Sequence, residues 1–415
     1  MFKRIPGTKD ILPGEIEFWQ KIAQTSRTIF KVHNYHEICP PLIEEAALFN
    51  RSLGEATEII RKQMFIIKKE QDTYALRPEG TASVVRAYIE NNLDKDPGFV
   101  KLYYMGPMFR CERPQKGRQR EFHHIGCEAI GSYGPEIDIE IIALADNLLT
   151  AYPIKGYRLV INSLGCEKDK KELNSLLKER LKDKTGELCE DCKVRYGQNI
   201  LRVLDCKNES CREIVEQLDI ADSYLCPECK GHFNKVKKGL DILKIKYEVS
   251  PNLVRGLDYY TRTVFEIKHP DLGPQQDALG AGGRYDNLVK ELGGPETGAI
   301  GFAFGVERLL LAQGQIQLDK LEDLVYIITL GDPARDKGFE LLQGLRKAGI
   351  PSDTDYENRS LKGAMRKAND LGAKFVLIIG EDELKEASVT LKDMAKSTQE
   401  KISQAKLIDR IKSSP

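Results

Sequence analysis

The sequence carries no excess charge of either sign. Lysine plus arginine and aspartate plus glutamate each number 63 in 415 residues. No long-range field therefore gathers a polyanion, and any phosphate or nucleic-acid site has to arise from local clustering. No apolar run is long enough to cross a bilayer, and the opening MFKRIPGTKDILPGE lacks the apolar core of a secretory signal. A cytoplasmic protein with no membrane partner is expected. Cysteine is too scarce for a disulfide scaffold of this size: ten in all, six of them between Cys189 and Cys229. In a reducing compartment that crowding favours metal over disulfide. Neither GxxxxGK(S/T) nor GxGxxG occurs, so a bound phosphate has to be held by side chains rather than by a glycine loop. The six histidines include no HExxH arrangement, and internal repeats are absent.

What is present divides into blocks. A length of 415 residues suggests two to four domains. Phe18, Trp19, Ile22, Ala23, Ile29 and Phe30 recur at helical spacing, after which Pro40 and Pro41 force the chain to run extended. Short strands are expected around Met64–Ile67 and Thr73–Leu76, then a turn into the helix ASVVRAYIE. After Ser163 the chain turns polar and then cysteine-rich, which reads as an insertion ending near Tyr247. Strand and turn patterns resume at Leu253. Beyond the polar AQGQIQLDKLED, the alternation of VYIITLG, a helix and KFVLIIG indicates a small α/β domain.

Within the stretch 106–128, GPMFRCERPQKGRQREFHHIGCE, the loop sets Arg110, Arg113, Lys116, Arg118 and Arg120 against only Glu112 and Glu121. A charged loop alone fits a solvated hairpin. Yet Glu79 stands at a helix start, Arg255 precedes Gly256, Tyr259 and Tyr260 begin a strand, and Arg308 lies in the first turn of a helix. Each ends an otherwise apolar element, where a side chain can face a shared cavity. Arginine suits a polyphosphate because its planar fork donates two parallel bonds and never deprotonates.

The words LRPEGT (76–81), the charged stretch above, LVRGLDYYTRTVFEI (253–267), AGGRYD (281–286) and GFAFGVERLLL (301–311) resemble the histidyl-tRNA synthetase family of class II aminoacyl-tRNA synthetases. The resemblance runs through nearly the whole chain in the family's order. It implies an α+β fold: a class II antiparallel catalytic sheet from 1–164 and 248–315, a helical cysteine-bearing insertion at 165–247, a linker at 316–323, and a C-terminal α/β anticodon-binding domain at 324–415. The implied reaction joins L-histidine to ATP as histidyl-adenylate and pyrophosphate, then passes histidine to its tRNA with release of AMP. Arg110 and Arg255 are the implied catalytic groups, both at the α-phosphate, with Arg255 also on the substrate carboxylate. Arg308 would hold the far end of a bent ATP, Glu112, Arg113 and Arg118 would lie near its phosphates, and Phe122 against adenine, with Mg2+ bridging the phosphates. Glu79 and Thr81 would hold the α-ammonium of histidine. Glu128 and Tyr260 would address the imidazole nitrogens, and Tyr259 and Tyr285 complete the pocket. His124 stands where most members carry glutamine facing the substrate amino group.

Two partners follow from the same resemblance. The proline-bearing segment Ile38–Ile43 belongs to a two-fold interface in class II enzymes, implying a homodimer. The tRNA would touch the insertion and the last domain, where Arg359, Lys362, Arg366 and Lys367 lie on or near one helix. Alternatives are a catalytically silent paralogue, like the regulatory subunit of ATP phosphoribosyltransferase, and a zinc-dependent nucleic-acid-binding module. The silent group typically lacks a C-terminal domain and an intact RGLDYY word; this chain has both.

The pairs Cys189-x-x-Cys192 and Cys226-x-x-Cys229 point to one ribbon-like metal site of four thiolates, holding structural Zn2+ or an iron–sulfur cluster. Cys206 and Cys211 would be spare or belong to another ligand set. Cys39, Cys111, Cys127 and Cys166 would be ordinary buried residues.

Overall fold

The computed structural model describes residues 2–54, 57–95, 99–115, 117–218, 220, 222–273, 277–314 and 324–413. The chain forms two compact units, Met1–Ile316 and Gln317–Pro415. The expected linker at 316–323 lies outside the described residues, as does Lys116.

The first unit is built on an eight-stranded sheet. Its spatial order is His36–Glu37, Val100–Phe109, Glu121–Ile130, Ala299–Gly305, Ala278–Arg284, Thr261–Lys268, Arg158–Ser163, Glu248–Val249. The six inner strands pair antiparallel, and the two-residue strands at either edge pair parallel. The charged stretch is the connection of a hairpin whose register runs from Val100 opposite Ile130 to Phe109 opposite Glu121.

Strand period then decides which side chains share a face. Ile125, Cys127 and Ala129 enter a core with Ile161, Phe265, Ile267, Ile300 and Phe302, which the helices Ile16–Val32 and Pro135–Ala151 cover. The first helix puts Ile22, Ser26 and Phe30 inward, and its Trp19 ring meets His123 edge-on at 4.8 Å. The alternate positions Phe122, His124 and Glu128 therefore face the other way. There a second core holds Phe49, Leu53, Tyr259, Tyr260 and Tyr285. One face of the sheet is packed by helices; the other carries the cavity.

The segment between Arg158–Ser163 and Glu248–Val249 contains the helices Glu167–Leu181, Glu190–Gln198, Glu209–Glu216 and Pro227–Ile242. The first three bury Leu173, Leu177, Cys192, Cys211 and Ile214 in a core continuous with the cavity side. The fourth behaves differently. Its Phe233, Val236 and Leu240 join the helix-packed core, and His232 bonds the buried Asp138 at 2.8 Å, which Arg284 also engages at 2.6 Å. Arg284 of the AGGRYD word is thus a fully buried tie between sheet and helix layer.

The second unit has five strands in the order Ser352–Thr354, Val325–Thr329, Phe375–Ile379, Ser388–Asp393, Thr398–Ser403. The first three are parallel and the last two antiparallel. VYIIT reads as an unbroken apolar run because helices cover both faces of a parallel strand; Asp332–Lys347 packs on one side and Leu361–Asp370 on the other.

Candidate active site

A cavity of about 370 Å³ opens on the uncovered face of the large sheet. Its wall includes Glu79, Thr81, Arg110, Glu112, Arg118, Phe122, His124, Arg255, Tyr259, Tyr260, Tyr285 and Arg308. These come from five separated stretches of chain, delivered by a helix start, a hairpin, a turn before a strand, the end of a strand and a strand running into a helix.

At one end stand carboxylates and hydroxyls. Glu79 caps the helix Thr81–Glu90: its oxygens accept from the backbone N–H of Thr81 at 2.6 Å and of Ala82 at 2.9 Å. Burial pushes its carboxyl up, and those two N–H groups pull it back down. Glu128, fully buried, accepts from Thr81 Oγ1 at 2.7 Å and from the Tyr285 hydroxyl at 2.6 Å. Burial raises its pKa to about 8, against the lowering influence of the Tyr285 and Thr81 hydrogen bonds. Backbone glycine makes room for this carboxyl, since a Cβ on Gly301 would sit 1.8 Å from Glu128 Oε2. The rings of Tyr259 and Tyr260 lie 4.7 Å apart, and Tyr259 meets Tyr285 edge-on at 5.8 Å.

At the other end stand guanidinium groups. Arg110 Nε donates to the Pro78 carbonyl at 2.9 Å, and its head lies 5.3 Å from the Phe122 ring centre. Arg308 is held by the carbonyls of Gly117 at 3.2 Å and Ala278 at 2.6 Å. Burial lowers its pKa, and the charges of Arg118 and Arg110 lower it further. Arg118 reaches Glu112 at 3.1 Å. Arg255 is paired with Glu266, while its Nε finds no hydrogen-bond partner among the described residues. Clustered cations, partly desolvated and anchored by backbone carbonyls or by a carboxylate, form a site complementary to a compact polyanion.

Residues 7–309 match the family model described as Histidyl-tRNA synthetase, and 324–414 that of the Anticodon binding domain. This chain belongs to the histidyl-tRNA synthetase family. It is 44% identical over 411 residues to the histidine–tRNA ligase of Natranaerobius thermophilus, covering 98% of this chain and 97% of that one. With the Desulforamulus reducens ligase it shares 45% over 410 residues, 98% of each chain. Its fold superposes on the apo Staphylococcus aureus histidyl-tRNA synthetase with a TM-score of 0.82 at 38% identity, covering all of both chains. An ATP phosphoribosyltransferase regulatory subunit/histidyl-tRNA synthetase from Bacillus halodurans gives 0.67 at 20% identity, a likeness of fold alone. The fold is that of class II synthetases, with a C-terminal anticodon-binding domain.

Two expected site residues stand apart from the wall. Arg113 is exposed in the hairpin loop and does not line the cavity, and Glu128 lies behind it, reached through Thr81 and Tyr285. His124 lines the cavity, with Nδ1 buried and unpartnered among the described residues. Burial, then the charges of Arg110 and Arg308, depress its pKa to about 3, so the imidazole is neutral. Sequence reading missed Glu266, Tyr104, Arg202, Asp205 and Lys207, all on the wall. For Glu266 a signal existed: it occupies an alternate, cavity-facing position in TRTVFEIK.

The single four-cysteine site does not form. Cys189 and Cys192 group with Cys206 and Cys211, whereas Cys226 and Cys229 group with Cys166 and Asp169. The two CxxC pairs begin different helices, and the chain between them folds each pair against other partners. Cys206 and Cys211 thus stand with the first pair rather than apart from both, and Cys166, only partly buried, stands with the second. Cys39 and Cys111 are exposed. No helix among the described residues is long and apolar enough to cross a membrane.

Proposed function

We propose that this cavity joins L-histidine to its tRNA in two steps, with ATP carried in as its Mg2+ complex. In the first, a histidine carboxylate oxygen attacks the α-phosphorus and the bond to pyrophosphate breaks. In the second, a hydroxyl of the terminal ribose of tRNA attacks the adenylate's carbonyl carbon, loses its proton, and AMP leaves. Such transfers need little covalent help; positioning and charge neutralisation supply most of the acceleration.

The observation that carries this reading is the convergence of Arg110, Arg255 and Arg308 with Glu79 on one cavity, from distant parts of the chain. Arg110 and Arg255 take the α-phosphate, Arg308 the far phosphates, with Glu112 and Arg118 beside them and Phe122 under adenine. Arg113 joins only if the loop folds inward with nucleotide. Glu79 has two of its lone-pair positions taken by backbone N–H groups and keeps acceptor capacity for the substrate ammonium. Tyr260 reads the imidazole directly, and Glu128, behind the wall, acts on it through the Thr81 and Tyr285 hydroxyls that it holds; Tyr259 and Tyr285 wall the ring in. A buried polar pocket of this kind rejects side chains that leave its groups unpaired by roughly 10⁴-fold or more. His124 gives or takes one hydrogen bond at the ammonium, where an amide would give two. The thiols stand outside this chemistry, since no cysteine lines the cavity among the described residues; a metal held by them serves structure.

The protein works in the cytoplasm as a homodimer. Support comes from exposed Leu42, Ile43, Ile66 and Ile67, on or beside the three-stranded sheet Ile43–Glu45, Asp72–Leu76, Phe65–Lys69. Histidine-dependent exchange of pyrophosphate into ATP tests the assignment. Exchange with histidine, and none with other amino acids, is expected; its absence in protein that still binds histidine would favour the silent paralogue.

A further inference from the structure

Outside the cavity, the described residues hold two groups of metal-ligating side chains that the aminoacylation chemistry does not use. We infer that the chain carries two structural zinc ions, one on Cys189, Cys192, Cys206 and Cys211 and one on Cys166, Asp169, Cys226 and Cys229, and that the first fixes a wall of the catalytic cavity.

Within each group all four ligand atoms lie within 4.8 Å of one another. A tetrahedral site with zinc–sulfur bonds of about 2.3 Å has sulfur–sulfur edges of about 3.8 Å. The Cys189 and Cys206 sulfurs are 3.8 Å apart, far beyond the roughly 2.05 Å of a disulfide. The local frame is that of thiolate ligands. Cys166, Cys189 and Cys226 each cap a helix, and the partner three residues on, Asp169, Cys192 or Cys229, lies in its first turn. Helix N-termini favour the thiolate form. Backbone N–H groups already point at sulfur: Cys189 to Cys211 at 3.2 Å, Asn208 to Cys206 and Cys229 to Cys226 at 3.5 Å. Such N–H···S bonds orient and tune the first ligand layer. Each group offers four protein ligands, enough to close a tetrahedron, and Cys192, Cys211 and Cys229 are almost wholly buried, the mark of a structural rather than catalytic ion. Sulfur-rich sets with one carboxylate select zinc over calcium or magnesium.

Position gives each ion a different task. The second group joins the start of the helix that leaves the sheet after Ser163 to the start of the helix Pro227–Ile242 that returns to the helix-packed core. It closes the neck of the inserted segment. The first group lies within that segment, and its Cys206 sits between Asp205 and Lys207, which with Arg202 line the catalytic cavity. Holding Cys206 holds that wall.

Elemental analysis of the full-length protein, produced with zinc supplied and dialysed free of loose metal, reads the count directly and does not depend on the ligase assignment. Two equivalents of zinc per chain are expected, and cobalt in their place should give intense thiolate-to-metal absorption. Cys211→Ser should lose one equivalent and Cys226→Ser the other. Should either variant fold poorly, thiol titration of the wild type decides instead: denaturant alone should free the buried Cys127, while the seven thiols of the two groups should stay masked until a chelator and denaturant are added together. Less than about a tenth of an equivalent, or iron with acid-labile sulfide, would overturn the proposal. In Cys211→Ser, amide hydrogen exchange across 200–207 should quicken; unchanged protection there would overturn the link to the cavity wall.

Discussion

Arg255 is paired with Glu266 before any substrate arrives, so its guanidinium is oriented while its Nε remains unpartnered among the described residues. Alanine there removes a preorganised donor and leaves the Glu266 carboxylate unpaired on the cavity wall. Histidine-dependent ATP–pyrophosphate exchange should fall in kcat/KM by roughly 10² to 10³, and lysine should restore little because it cannot fork. A loss under about tenfold in the alanine variant would remove Arg255 from the chemistry. Glu128 makes a different kind of forecast. Its folded pKa, about 8, stands above the ordinary 4.5, so between those values the folded state binds the extra proton and stability falls as pH rises. His124 acts oppositely: depressed to about 3 from 6.5, it adds stability as pH rises through that window and nothing beyond it. Between pH 6.5 and 8 the carboxyl is therefore the dominant of the two. The melting temperature of the substrate-free protein should fall across that range, and Glu128→Gln should flatten the fall. Equal slopes in both proteins would rule out a raised Glu128.

Strands set those residues in place, and strand period is what made much of the site legible. Once the hairpin is recognised, Phe122, His124 and Glu128 have to share a face, and they do. The arginines at element ends were readable for the same reason: a charge closing an apolar run has to face water or a cavity. Pairings across a turn were not readable. Nothing local tells that Glu266 meets Arg255, or that Asp205 and Lys207 return from the insertion to the cavity. The cysteines show the limit most plainly. A CxxC pair announces two thiols at one helix start, but the path of the chain decides what joins them, and here it brought Cys206 with Cys211 to one pair and Cys166 with Asp169 to the other. At this scale Gly301 offers a test. The strand Ala299–Gly305 passes so close to Glu128 that a methyl group would lie 1.8 Å from its oxygen. Gly301→Ala should displace the carboxyl, raising KM for histidine well above its effect on KM for ATP. Equal changes in both would mean a general loss of folding instead.

Over the whole molecule, 63 cations and 63 anions cancel, so binding of a polyanion has to be local and short in range. In the second unit Arg359 is already spent: Asp355 and Glu357 hold it at 2.5 Å each. Lys362, Arg366 and Lys367 on the helix Leu361–Asp370 remain exposed, and their helix buries Ala364 and Ala368 on its opposite side. A solvated helix face would look the same, and only the charges' effect on tRNA separates the two. Reversing all three to glutamate should leave histidine-dependent exchange unchanged, because the cavity lies wholly in the first unit. Aminoacylation should weaken through KM for tRNA, and the logarithmic salt dependence of that KM should become shallower by roughly 0.7 to 0.9 for each phosphate no longer neutralised. An unaltered salt slope alongside unaltered KM would make this face mere solvated surface and move the anticodon-side interface elsewhere on the unit.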